Sequence, residues 1–318
     1  MPYIFGPVPS RRLGLSLGID LIQHKTCTYD CLYCQVGKTT IKTIETNPLI
    51  PVQEVMKELK QRLENITPDV ITLAGSGEPT IHSRIDRVID LIKGITDTKI
   101  AILTNGSLFW KEEVRKKVLG AHIIMPTLST AFEETFRIIH RPHWELNLSM
   151  IIEGLMDLRR EYPGSLFLEV VLLAGFNDSD SEIEGLKRVI DQISPDKIQL
   201  NTVVRPPADS RAIPLDRRRL EDIKSFFGAK AEIAAHTPFE EQEVEYDFPA
   251  KTVLEMIKRR PVRDIDIANV LNMRLGEVEG LIKGLLLKGL IRKHKHSGDV
   301  FYRIPQTNHV SATKAPRH

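Results

Sequence analysis

The sequence predicts an α/β fold, a partial (β/α)6 TIM-like barrel followed by a small C-terminal winged helix-turn-helix domain. Three observations predict it. Short apolar runs alternate with stretches of helical spacing through about the first 230 residues. Those runs lack a strict in–out alternation, as expected of strands covered on both faces. Past an acidic stretch at 236–249 the pattern changes to three short helical segments and a basic hairpin.

Each element has its own signal. Gly14–Leu21 reads as the first strand and Val52–Ile66 as the first helix. Val70–Ala74 (VITLA) is a buried strand that stops at Gly75. Ile85, Val88, Ile89 and Ile92 recur at helical spacing within Arg84–Ile95. Lys99–Leu103 is a strand ending in Thr104-Asn105-Gly106, Lys111–Leu119 a helix, and His122–Leu128 a strand despite its proline. Asn147–Tyr162 is helical, Leu166–Leu173 is a strand ending at Gly175, and Ser181–Ile193 is helical. Lys197–Asn201 is the sixth strand, followed by Arg205-Pro206-Pro207 and a helix at Leu215–Phe227. Strand–helix–strand repetition gives a parallel sheet with right-handed crossovers. In such folds the chemistry collects at the C-terminal strand ends.

The domain expectation is a barrel at 1–235, a linker at 236–249, a winged-helix-like domain at 250–305 and a disordered tail at 306–318. In the small domain Val253–Arg259, Asp264–Leu271 and Gly276–Lys288 read as helices. Ile291–Lys295 and Val300–Ile304 read as a hairpin turning at His296-Ser297-Gly298-Asp299. Net charge is +2 over 318 residues, but residues 251–318 carry 14 basic against 6 acidic groups. That asymmetry points to an anionic partner for the tail domain, nucleic acid through Arg292, Lys293, His294, Lys295 and His296 being the candidate. No run of about 18 uncharged apolar residues exists, so no membrane span is expected. The N-terminus has no apolar signal core, so a cytoplasmic location is expected.

All three cysteines of the chain, Cys27, Cys31 and Cys34, lie within eight residues. An odd count in so tight a cluster argues for a metal or cluster site rather than a disulfide framework. Iron–sulfur cubanes are normally held by four thiolates. Three thiolates would leave one iron open to a small chelating ligand. A Cys3His zinc site with His24 or His82 is the rival reading, and a metal- or redox-sensing regulator of DNA is the non-enzymatic one.

The CxxxCxxC spacing with Tyr33 before the third cysteine resembles the radical S-adenosylmethionine (radical SAM) superfamily. Gly75-Ser76-Gly77-Glu78-Pro79, at the end of the second strand, resembles that family's glycine-rich motif, with Ser76 standing where glycine is usual. The resemblance covers about residues 1–230. It implies a [4Fe–4S] cluster on Cys27, Cys31 and Cys34, and S-adenosylmethionine as cofactor. It also implies that Tyr33 packs near the adenine and that Gly75, Ser76, Gly77 and Glu78 receive the methionine end. Ser129 falls at the ribose strand and Gly175 at the adenine turn, and Asn105, Asn201 and Arg205 are further cofactor or substrate candidates. The implied reaction is reductive cleavage of the cofactor to a 5′-deoxyadenosyl radical, with ferredoxin or flavodoxin as electron donor. Gly6–Arg12 and Ser16–Asp20 look like a subgroup of iron–sulfur oxidoreductases distantly related to wyosine-forming tRNA enzymes and the molybdenum cofactor enzyme. The substrate stays open, an RNA base being one alternative. Arg11 and Arg12 are candidates for a substrate phosphate or carboxylate, or for surface ion pairs.

Overall fold

The computed structural model of the chain describes residues 2–10, 12–22, 25–234, 249–271 and 273–305. In chain order the elements are β1 (Ile4–Ser10), β2 (Gly14–Ile19), β3 (Thr26–Cys27), β4 (Ile41–Lys42), α1 (Val52–Leu63), β5 (Val70–Leu73), α2 (Ile85–Lys93), β6 (Lys99–Thr104), α3 (Glu112–Val118), β7 (Ile123–Pro126), α4 (Glu133–His140), α5 (Leu148–Glu161), β8 (Ser165–Leu172), α6 (Asp180–Ile193), β9 (Lys197–Thr202), α7 (Arg217–Phe227) and β10 (Ala231–Ile233). The smaller unit adds α8 (Pro249–Arg259), α9 (Asp264–Leu271), α10 (Leu275–Leu287), β11 (Arg292–His296) and β12 (Asp299–Arg303).

The main sheet runs β1-β2-β5-β6-β7-β8-β9-β10. From β2 to β10 every pairing is parallel, as the strand–helix alternation requires. Only β1 runs antiparallel, paired to β2. The expected α/β architecture with six parallel strand–helix units is therefore the observed one, opened out as an eight-stranded sheet. β5 is buried along its whole length, and Ile71, Ile100, Ile102, Ile124, Leu168, Val170 and Leu200 belong to one core. The helices bury one stripe each: Ile85, Val88, Ile89 and Ile92 of α2 face inward. Each such side chain contributes about 1.5–3 kcal/mol by leaving water.

Five elements of this unit lie outside the sequence reading: the two-residue strands β3 and β4, and β1, α4 and β10. β1 lies outside the sequence reading, and its Pro7 and Pro9 lack an amide donor. It is tolerated as an edge strand whose register shifts between Phe5 and Val8. The Phe5 ring needs Gly18 on its neighbour, where a Cβ would stand 2.1 Å from the ring. α4 buries Phe136, Ile139 and His140. β10 is only three residues long. Elsewhere boundaries move by a few residues: α1 stops at Leu63 rather than Ile66, and Asn147 caps α5 from outside by accepting from Met150 N.

Residues 246–318 form a second compact unit, separate from 1–245. The linker expected at 236–249 lies outside the described residues except for Pro249, which opens α8, a position where a missing N–H costs nothing. The tail at 306–318 lies outside them too. Within the unit β11 and β12 pair antiparallel, with His296 opposite Asp299. Ser297 and Gly298 both have positive φ, as a two-residue primed turn demands. Among the described residues no helix is long and apolar enough to cross a membrane.

Candidate metal and cofactor site

The cysteines ride on a loop strapped to the sheet by backbone bonds from both sides. β3, which ends in Cys27, pairs in parallel with β4, and Thr43 N donates to the Cys27 carbonyl at 3.1 Å. On the other side His143 N donates to Thr28 O (2.8 Å), Asp30 N to His140 O (3.0 Å) and Leu32 N to Ile139 O (2.9 Å). Asp209 N closes the loop onto Leu32 O at 3.0 Å. The segment leaving α4 is thus the main brace of the loop. Its left-handed Arg141 is fixed by an ion pair to Asp209 at 2.6 Å.

Each sulfur meets a side chain from a different part of the chain. Asn105 Nδ2, at the end of β6, lies 3.6 Å from Cys27 Sγ and donates to Thr28 Oγ1 at 2.7 Å. His140 Nδ1, on α4, is 3.4 Å from Cys31 Sγ and 3.2 Å from the Tyr33 hydroxyl. Lys25 Nζ donates to Cys34 Sγ at 3.1 Å. Burial, then the Glu78 charge, pushes the Cys27 thiol up to about 12. Burial and the neighbouring Cys27 and Cys34 push Cys31 well above the usual thiol range. Two thiols shifted this way resist ionising together unless a positive centre sits beside them. Burial holds His140 down to about 3, so its imidazole is neutral.

The Gly75–Pro79 turn packs directly beneath the loop. A Cβ on Gly77 would stand 1.9 Å from the Thr26 carbonyl oxygen, so only glycine fits. Gly75, at φ +151, would place a Cβ 2.4 Å from the Asp20 carboxylate. Ser76 explains its own departure from glycine. Its hydroxyl donates to Asp20 Oδ2 at 2.6 Å, and its amide donates to the same carboxylate at 3.2 Å. Glu78 is fully buried, and its oxygens accept from Thr80 N, Thr80 Oγ1, Thr104 Oγ1 and Asn105 N at 2.6–3.0 Å. Burial raises its pKa, while those donors oppose the rise. The carboxylate ties the end of β6 to the glycine turn.

The remaining sequence candidates divide. Tyr33 and Asn105 join the cysteines, as above. Ser129 is buried and accepts from Val171 N at 3.1 Å, with Asn177 Nδ2 bonding its carbonyl at 2.7 Å. Its side chain locks β7 to β8. Gly175 occupies an exposed turn, its amide donating to Asp178 Oδ1. Asn201 Nδ2 donates to Glu169 Oε1 at 3.2 Å, and Thr127 Oγ1 donates to Oε2 at 3.0 Å. Arg12 pairs with the same carboxylate, which uses its guanidinium internally. Arg205 is half-buried beyond the end of β9. Arg11 and His24 lie outside the described residues. The His82 ring is buried and bonded to the Ile50 carbonyl at 3.2 Å.

Sequence reasoning missed Lys25, His140, Asp20 and Glu169. A signal existed for His140: Phe132, Phe136, Ile139 and His140 recur at i, i+4, i+7 and i+8. Glu169 breaks an otherwise apolar strand, the informative kind of exception. Nothing local marks Lys25, and Asp20 closes the Ser16–Asp20 motif without any local sign of what it bonds.

Parallel strands, a glycine turn and three thiols gathered over their C-terminal ends define a barrel protein that can carry a cysteine-bound metal group. The sequence profile of the Radical SAM superfamily matches residues 22–186. A UPF0026 protein of Methanocaldococcus jannaschii is 33% identical over 309 residues, covering 95% of this chain and 96% of that one. The chain belongs to the radical SAM superfamily and, within it, to the UPF0026 group. A protein of Brachyspira hyodysenteriae named GTPase Obg is 35% identical over 305 residues, covering 95% of this chain. The match spans 45% of that relative's length. A radical SAM methyltransferase from Sphaerobacter thermophilus shares the fold, with a TM-score of 0.54 at 15% identity over 69% of this chain and 65% of that one. The chain is an enzyme of the radical SAM class. Enzymes of this superfamily use a [4Fe–4S] cluster and S-adenosylmethionine, and they generally need an electron donor.

Proposed function

We propose that Cys27, Cys31 and Cys34 hold a [4Fe–4S] cluster whose fourth iron receives S-adenosylmethionine. The observation that carries this is the pairing of each sulfur with its own polar side chain, Asn105, His140 and Lys25, at the closed end of the Gly75–Pro79 turn. The donor set fits: three thiols from one short loop, with no other cysteine in the chain. When bound, the pair of cofactors supplies one-electron cleavage of the sulfonium carbon–sulfur bond, giving methionine and a 5′-deoxyadenosyl radical that takes hydrogen from a substrate.

The protein's own residues prepare the place. The Lys25 ammonium offsets thiolate charge at Cys34, and neutral His140 offers one ring nitrogen between Cys31 and the Tyr33 hydroxyl. Gly75 and Gly77 keep the turn narrow enough for close approach, and Glu78 and Asp20 hold its shape as positioning residues. Tyr33 covers the adenine side, and Asn105, Asn201 and Arg205 face the cofactor or substrate. Ser129 and Gly175 act by setting the β7 and β8 ends. Residues 1–235 make up the catalytic unit, and 250–305 a winged-helix-type appendage.

Anaerobic reconstitution with iron and sulfide tests this. The wild-type protein should turn brown and form 5′-deoxyadenosine only with reductant. Cys31→Ala should lose both properties, and its retention of either refutes the assignment.

A second reading concerns the substrate. Arg292 stands directly opposite Arg303 in the β11–β12 register, and both crowd His294, whose pKa is lowered by burial and then by these cations. Like charges in cross-strand register destabilise a hairpin unless an anion joins them. That favours an RNA substrate held by its phosphates. Binding of a labelled RNA that weakens steeply with salt, and is lost in Arg292→Glu, would support it.

A further inference from the structure

Among the described lysines only Lys25 is buried, at 3% exposure. A lysine is almost never this enclosed without a partner for its charge. Its ammonium donates to Cys34 Sγ at 3.1 Å, and no carboxylate pairs with it among the described residues. The other two sulfurs meet an uncharged amide, Asn105, and an imidazole ring, His140. Lys25 is therefore the one lysine or arginine bonded to a cysteine sulfur among the described residues. Its charge also reaches the neighbouring thiols. Burial pushes Cys27 and Cys31 up, and the Lys25 charge opposes that rise at both.

The backbone holds this lysine in place. Lys25 is left-handed, at φ +61, a conformation that a residue with a Cβ adopts only when its surroundings impose it. Its amide donates to the Ser76 carbonyl of the glycine turn at 3.2 Å. Its own carbonyl accepts from Thr40 N at 2.9 Å and from Ile41 N at 3.0 Å. Bonds to the glycine turn on one side and to the start of β4 on the other thus fix the root of the side chain. The ammonium is aimed at Cys34 by two segments that also pack against the cysteine loop.

We propose that Lys25 is a positioning residue that raises the reduction potential of the cluster by holding a fixed positive charge against Cys34. The inference rests on the cluster assignment above and adds what sets the ease of its reduction. Reduction brings in one electron and releases nothing, so the cluster with its thiolates becomes more negative by one charge. A fixed cation stabilises that form more than the oxidised one. In a buried site the effect is screened little by solvent. Hydrogen bonds to the sulfurs and net charge are two of the levers a protein has on such a potential.

The test is an anaerobic redox titration of the reconstituted full-length protein with dithionite, the reduced cluster being followed by electron paramagnetic resonance. Lys25→Met removes donor and charge, Lys25→Gln keeps a donor without charge, and Lys25→Arg keeps both. Lys25→Met should lower the equilibrium constant for reduction about tenfold to hundredfold, about 60–120 mV at 59 mV per tenfold for one electron. Lys25→Gln should recover part of that loss and Lys25→Arg most of it. Iron content and affinity for S-adenosylmethionine should stay at the wild-type level. A change of less than about twofold in Lys25→Met, with the cluster intact, overturns the proposal and leaves the cluster assignment standing. Weakened S-adenosylmethionine binding at an unchanged potential also overturns it, because Lys25 would then be a ligand contact. Should Lys25→Met take up no iron, the other two variants decide, and equal potentials in Lys25→Gln and Lys25→Arg overturn it. Loss of iron from all three variants overturns it too, since Lys25 would then serve assembly. A wild-type protein that takes up no cluster removes the parent reading instead.

Discussion

Single side chains decide how close the glycine turn comes to the cysteine loop. Ser76 is buried with its hydroxyl on the Asp20 carboxylate, and hydrogen bonds to a buried charge are the strong kind. Ser76→Ala should cost about 1.5–3 kcal/mol in urea denaturation of the apoprotein. Gly77→Ala is a harsher change, because its Cβ would collide with backbone rather than with a movable side chain. Iron loading by that variant should fall sharply, and full loading would show that the turn and loop can separate. The cysteines and the glycine turn were legible in the sequence because the spacing of chain-adjacent residues is itself the signal. Lys25, Asp20 and His140 were not, because their roles depend on contacts with Cys34, Ser76 and Cys31 that folding creates.

Between elements, the carboxylate of Glu169 holds together pieces that the chain order scatters. It sits on β8, meets Arg12 from the β1–β2 turn, Thr127 past β7 and Asn201 on β9, and lies near Tyr33. Burial alone would raise its pKa, but the Arg12 charge and the hydrogen bonds outweigh burial and hold it below the usual 4.5. A depressed carboxyl stabilises the fold above the unfolded pKa, and that contribution fades as pH falls through the lower folded value. Glu169→Gln, which leaves Arg12 without its counter-charge, should cost about 2–4 kcal/mol at about pH 6 and clearly less at about pH 3.5. Equal losses at the two values would mean that the ion pair does not bear on stability. Strand and helix order was readable at this level because period and breaker residues are local. β1 was hidden by two prolines that only an edge position tolerates.

For the whole molecule, the division into residues 1–245 and 246–318 predicts two unfolding events. Phe301 is 1% exposed in the smaller unit. Phe301→Ala should cost that unit about 3–5 kcal/mol, enough to lower or abolish one calorimetric transition. The other transition and the iron content should stay put, and a joint shift of both transitions would show that the units unfold as one.

By itself the sequence determined the class of fold, the three thiols and the glycine turn, because hydrophobic period, cysteine spacing and strand-end glycines act over a few neighbouring residues. Tertiary structure alone decided which polar groups stand against each sulfur, that Ser76 serves Asp20, and that Arg12 is spent on Glu169. It also decided that Lys42 reaches the Arg141 carbonyl, about a hundred residues further along the chain. Those facts depend on chain closure between distant segments, and no local pattern records which distant partner a charge or a ring will meet.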